Sequence, residues 1–96
     1  MKILCICRVG SVRSVAFAHI LKVLYKHDAI SLSYQYNSEE TILKLSNWAD
    51  KVIILDSKYK LASKKTIYFY LPDKWYNPFN PELTDEIYQI LSRIKI

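Results

Sequence analysis

The sequence predicts a three-layer α/β sandwich over residues 1–96: a four-stranded parallel sheet in the order 2-1-3-4 with helices on both faces, in a single domain. Three observations predict it. Short apolar runs of strand length alternate with amphipathic stretches of helical length, the pattern of repeated βαβ units. The first and third strand-like runs are apolar throughout, as strands buried on both faces must be, whereas the second alternates like an edge strand. The chain's one glycine, Gly10, lies between the first strand and the first helix, where α/β sheets place their ligand loops.

The elements follow in order. Lys2 to Ile6 reads as a central strand. Ser11 to Tyr25 reads as a helix with Phe17, Ile20, Leu21 and Leu24 as its inner stripe, closed near Asp28. Ile30 to Tyr36 alternates apolar residues with Ser31, Ser33 and Gln35, a half-exposed strand at a sheet edge. Asn37-Ser38-Glu39-Glu40 starts a helix with a cap and first-turn carboxylates, and Ile42, Leu45 and Trp48 or Ala49 give it an apolar face. Val52 to Leu55 is a third strand ending in Asp56. A short, basic, weakly helical segment reaches Lys65, and Thr66 to Leu71 is the fourth strand, ending in Pro72-Asp73. Asn80-Pro81-Glu82 caps the last helix, with Ile87, Ile90, Leu91 and Ile94 facing inward. Placing the second strand and the third on opposite sides of the first puts a topological switch point at the loop from Cys7 to Arg13. Asp56 and Asp73 then fall on the same edge.

Composition narrows the partners. The formal net charge of +5 favours anionic ones. The lysines are spread along the chain, more like a solvated surface than a nucleic-acid groove, so nucleic acid is a possible but less favoured partner. No apolar run approaches membrane-span length, so no membrane partner is expected. Cys5 and Cys7 lie two apart on one strand, unsuited to a relaxed disulfide, which points to a reducing, cytoplasmic compartment. Two cysteines and two histidines without ligand spacing make no metal site.

The loop itself reads Cys7-Arg8-Val9-Gly10-Ser11-Val12-Arg13-Ser14, a Cys-x5-Arg-Ser string. Five intervening residues can curl so that the amides of Arg8 to Arg13 point inward around a tetrahedral oxyanion. Arg13 offers a planar fork for two phosphate oxygens, and the helix start adds positive potential. Such surroundings favour a nucleophilic thiolate at Cys7, and the Ser14 hydroxyl can donate to the sulfur when it leaves. Gly10 supplies the positive φ that an inward-turned loop requires.

These residues carry a family resemblance. The chain resembles the low-molecular-weight protein tyrosine phosphatases, in particular their short bacterial and phage-type relatives. The resemblance rests on Cys7-x5-Arg13-Ser14, on Gly10 three residues after the cysteine, on Leu71-Pro72-Asp73 followed by Trp75-Tyr76, and on the "NWADKVIILD" segment at the third strand. It implies a phosphatase that needs no cofactor or metal. Cys7 would be its nucleophile, Arg13 its oxyanion holder and Asp73 its general acid, with a phosphorylated protein or small phosphate ester as substrate. The compartment implied is the cytoplasm, a host's if the chain is viral. The chain departs from the family pattern at Gly10-Ser11, which replaces the usual polar pair, at Val12, where many members carry a second cysteine, and at Lys74, where proline is usual.

Each residue also has a plainer reading. Asp73 could be a turn residue after Pro72. Trp75 and Tyr76 could cover the last helix or form an aromatic wall for substrate. Arg8 could be a solvated charge or an anionic-rim contact, Cys5 a small core residue, and Asp56 a strand-end acceptor. Three other functions remain open. One is a non-enzymatic phosphate- or phosphoprotein-binding module. Another is an arsenate reductase, which would need cysteines after Cys7. The third is a IIB-like phosphocarrier, which would not need Arg13.

Overall fold

A computed structural model describes residues 1–94. The element order is β1 (Lys2–Cys7), α1 (Arg13–Val23), β2 (Asp28–Ser33), α2 (Glu39–Trp48), β3 (Lys51–Ile54), β4 (Thr66–Tyr68) and α3 (Pro81–Leu91). All strand pairs are parallel and the sheet order is β2-β1-β3-β4. The switch point therefore falls where the chain reverses around β1.

Period-two alternation in the central strands builds two cores. Ile3, Cys5 and Cys7 of β1, with Ile53 and Leu55, meet Phe17, Ile20 and Leu21 of α1 and Leu83, Ile87 and Leu91 of α3. On the opposite face Leu4, Ile6, Val52 and Ile54 meet Ile42 of α2, flanked by Leu45 and Trp48. Two helices on one face and one on the other make the three layers.

The caps explain two helix starts. Ser38 accepts from the Thr41 amide above Glu39 and Glu40, and Asn80 accepts from the Glu82 and Leu83 amides above Pro81 at the first position. The first helix differs: Val12 is its cap residue and makes no side-chain cap bond, so its first amides stay open.

Several element bounds differ from the sequence expectation, each for a local reason. Leu24 is exposed, because α1 ends at Val23 and the chain turns away through Lys26 at φ 59°. Asp28 does not close that helix; it opens β2 and donates its amide to the Met1 carbonyl. The second strand stops at Ser33, whose hydroxyl accepts from the Gln35 and Tyr36 amides and turns the chain. Its apolar residues Ile30 and Leu32 still pack toward α2, with Tyr34 beyond the strand end. No helix forms between Asp56 and Lys65. Tyr59 and Leu61 in that segment recur with period two and lie on the α2 side, Tyr59 stacked on Tyr34 at 4.8 Å. The fourth strand is short. Past Tyr68 the chain continues beside β3 through bonds from Phe69 to the Ile54 carbonyl and from Leu71 to the Leu55 carbonyl. Asp73 thus lies on the loop after β4 rather than at its end.

Candidate active site

The loop after β1 is anchored at Gly10. Its φ is +79°, and a Cβ there would stand 2.7 Å from the Ser33 nitrogen and 3.0 Å from the Leu32 carbonyl carbon. Positive φ and backbone contact both demand glycine. The Ser33 hydroxyl donates to the Arg8 carbonyl at 2.7 Å, and the Gln35 amide donates to the same carbonyl at 3.1 Å. The end of β2 therefore braces the first residue of the loop. In the sequence Ser33 and Gln35 show only as the polar face of an edge strand. The usable signal is the parallel pairing of that strand with β1, which brings its carboxyl end beside the loop.

Braced in this way, the loop turns donors toward Cys7. The Gly10 amide donates to Cys7 Sγ at 3.2 Å, and Ser14 Oγ lies 3.1 Å from the same sulfur. Among the described residues the amides of Arg8, Val9, Ser11 and Val12 take no protein acceptor. Cys7 is 2 % exposed and forms the floor of a cavity of about 440 Å³, whose walls are Arg8, Val9, Ser11, Val12, Arg13, Asp73, Trp75 and Tyr76. Open amides, a helix start and a sulfur at the base form a cradle of the kind that can receive an oxyanion.

Arg13 is 2 % exposed, and its guanidinium is held by three acceptors. Its Nη1 donates to the Leu71 carbonyl at 2.8 Å and to the Leu55 carbonyl at 3.2 Å, and Nη2 donates to Asp56 Oδ2 at 3.2 Å. No protein acceptor among the described residues takes Nε–H, which leaves that edge for a ligand oxygen. Asp56 lies two residues past the end of β3 and, besides Arg13, accepts the Lys58 amide at 2.9 Å. Burial alone would raise its pKa, but the Lys58 amide and the Arg13 guanidinium, with a smaller contribution from Tyr34, hold the carboxyl below the ordinary carboxylate range.

Asp73 reaches the cavity from the loop after β4. Its Oδ2 accepts from Arg8 Nε at 3.0 Å and Arg8 Nη2 at 2.8 Å, and lies 3.6 Å from Arg13 Nη2. Arg8 thus stands at the cavity wall as a partly exposed side chain paired with Asp73. Its Nη1 also donates to Gln35 Oε1 at 3.0 Å. On the far side of the Arg8–Asp73 pair is a smaller cavity of about 120 Å³, lined also by Asp56, Ser57, Lys58 and Tyr70.

Trp75 packs against the last helix and also faces the cavity. It is 8 % exposed within the α1–α3 core, donates Nε1–H to Glu82 at 3.2 Å, and still lines the cavity. Tyr76 is 98 % exposed at the cavity rim. Cys5 lies in the core; burial, then the neighbouring Cys7, push its thiol well above the ordinary range. His19 packs edge-on against Phe79 at 5.2 Å, and His27 Nδ1 meets the Met1 amine at 3.2 Å. Both are remote from the cradle. Among the described residues no three His, Cys, Asp or Glu side chains gather as a metal site, and no helix is long and apolar enough to cross a membrane.

No protein-family model matches the chain, and neither a curated protein nor a solved structure does.

Proposed function

We propose that this protein is a cysteine-dependent phosphatase acting on phosphate monoesters, with protein phosphotyrosine the favoured substrate, through a cysteinyl-phosphate. The observation that carries the reading is the convergence on one sulfur: the Gly10 amide and the Ser14 hydroxyl both lie within hydrogen-bonding distance of Cys7 Sγ, beneath a cradle of open amides beside buried Arg13. That arrangement suits a thiolate attacking phosphorus and later leaving it.

The chemistry runs in two steps. Cys7 sulfur forms a bond to phosphorus while the ester oxygen leaves and takes a proton from Asp73. Water then attacks the phosphorus, Asp73 receives its proton, and the S–P bond breaks to return the thiolate. The Gly10 N–H and Ser14 O–H stabilise that thiolate as a leaving group. The loop amides and Arg13 hold the non-bridging oxygens throughout, an electrostatic role set by fixed dipoles. The exposed Tyr76 and the flat wall of Trp75 give the mouth an aromatic lining for a phenyl ester. Resemblance to the low-molecular-weight protein tyrosine phosphatases points the same way. Two free cysteines fit a cytoplasmic setting.

The test is turnover of aryl phosphates and a phosphotyrosine peptide by wild type and Cys7→Ser, with vanadate as inhibitor. Vanadate-sensitive hydrolysis lost in Cys7→Ser supports the proposal. Tight phosphate or phosphopeptide binding without hydrolysis would replace it with a binding module on the same loop.

A further inference from the structure

The Arg8–Asp73 pair invites a role beyond an incidental surface ion pair. Exposed pairs of this kind contribute little to stability, and both side chains are about two-fifths exposed. Three features of its geometry point elsewhere. Arg8 bridges two separate segments, donating to Gln35 past the end of β2 and to Asp73 on the loop after β4. Its own backbone is fixed, because its carbonyl accepts from Ser33 and from Gln35. Both of its donors to Asp73 converge on Oδ2, and no protein donor among the described residues takes Oδ1.

We propose, resting on the phosphatase reading, that Arg8 is a positioning residue for Asp73: it fixes the carboxyl by Oδ2 so that Oδ1 carries the proton exchanged with the leaving group and with water. The loop bearing Asp73 has no regular structure to orient this side chain. The bridge supplies that orientation from the braced start of the cradle, so nucleophile and acid are located by the same backbone. In the first step the protonated Oδ1 gives up its proton to the ester oxygen, and the carboxylate that results keeps its contact with the Arg8 guanidinium. In the second step Oδ1 takes the proton of the attacking water. No group other than substrate and water is required.

A role exerted through Asp73 differs measurably from direct contact with substrate phosphate. The experiment is a double-mutant cycle with Arg8→Gln and Asp73→Asn, reading kcat/KM across aryl phosphates of differing leaving-group acidity. Positioning of a general acid predicts a loss of about tenfold for Arg8→Gln on phenyl phosphate, shrinking as the leaving group improves. It also predicts little further loss when Arg8→Gln is added to Asp73→Asn. Gln35→Ala, which frees one end of the bridge, should show a smaller loss with the same leaving-group trend. An equal loss from Arg8→Gln in both backgrounds, with no leaving-group trend, would make Arg8 a phosphate contact and overturn the inference while the phosphatase reading stands. Absence of any loss in Arg8→Gln would also overturn the inference. If no turnover depends on Cys7, the phosphatase reading fails and the inference falls with it.

Discussion

Replacing Gly10 with alanine tests whether the loop is held as described. Two costs are imposed together. At φ +79° an alanine adopts left-handed backbone, at about 1–2 kcal/mol. Its Cβ would also stand 2.7 Å from the Ser33 nitrogen and 3.0 Å from Ser33 Cα, backbone atoms that cannot rotate aside. Relieving that contact requires a main-chain shift, for which overpacking typically costs about 1–3 kcal/mol. The combined loss is about 2–5 kcal/mol, a large part of the roughly 5–15 kcal/mol that stabilises a domain of this size. Thermal unfolding should fall by about 8–40 °C, taking about 4–8 °C per kcal/mol. If the loop instead shifts away from Ser33, the Gly10 amide leaves Cys7 Sγ, and the proposed aryl phosphate turnover should drop while the melting temperature recovers. Paired melting curves and aryl phosphate kinetics separate the two routes. A variant within about 2 °C of wild type and fully active would refute the claim that this position requires glycine.

Other outcomes follow from the buried charges and the acid. Arg13→Ala should cost about 3–5 kcal/mol in denaturant unfolding, because Asp56 loses its buried partner; Arg13→Lys should keep more stability than Arg13→Ala but recover little turnover, since an ammonium cannot serve two carbonyls, a carboxylate and a phosphoryl oxygen in one plane. Asp73→Asn should slow phenyl phosphate by about 10²-fold or more and an activated aryl phosphate far less, and equal leaving-group slopes in the two proteins would return Asp73 to a turn role. Acid should destabilise the fold through Asp56: its pKa is depressed in the folded state, so its contribution is complete above the unfolded value near about 3.9 and is lost as pH falls through the lower folded value. Urea midpoints measured downward from neutral pH should therefore fall less steeply for Asp56→Asn than for wild type in that acid range, and parallel curves would show that Asp56 is not a linked group.

Much of the fold is written in local patterns. The apolar runs of β1 and β3 after their opening lysines, the alternating β2, and the caps at Ser38 and Asn80 each specify their element within a few residues. The sheet order then follows from which strand reads as an edge. Less legible are features set by tertiary contact. Residues 57–65 carry no strong helical stripe, and only the faces offered by Tyr34 and Tyr68 decide that Tyr59 and Leu61 pack as an extended strap. The candidate site divides in the same way. Cys7, Gly10, Arg13 and Ser14 fall within eight residues, so one tight loop brings Gly10 and Ser14 to the Cys7 sulfur and places Arg13 at the helix start that follows. Asp73 is 66 residues beyond Cys7; its place near the sheet edge follows from the strand order, but its role as an acid rests on the family resemblance of Leu71-Pro72-Asp73 and the aromatic residues after it. The Arg8–Asp73–Gln35 bridge joins three segments through long side chains, and no local pattern in the sequence encodes which cation pairs with which carboxylate.

The central claim is a covalent phosphate on Cys7, and the Asp73→Asn protein gives the most direct view of it. With an aryl phosphate whose leaving group needs no acid, the first step should proceed while water attack, deprived of its base, lags. Rapid mixing should then show a burst of phenol of about one equivalent per chain, and acid-quenched mass spectrometry should place a phosphoryl group on the peptide containing Cys7 and on no other. Phenol release with no burst and no phosphoryl group on Cys7, or undiminished hydrolysis by Cys7→Ser, would contradict the account.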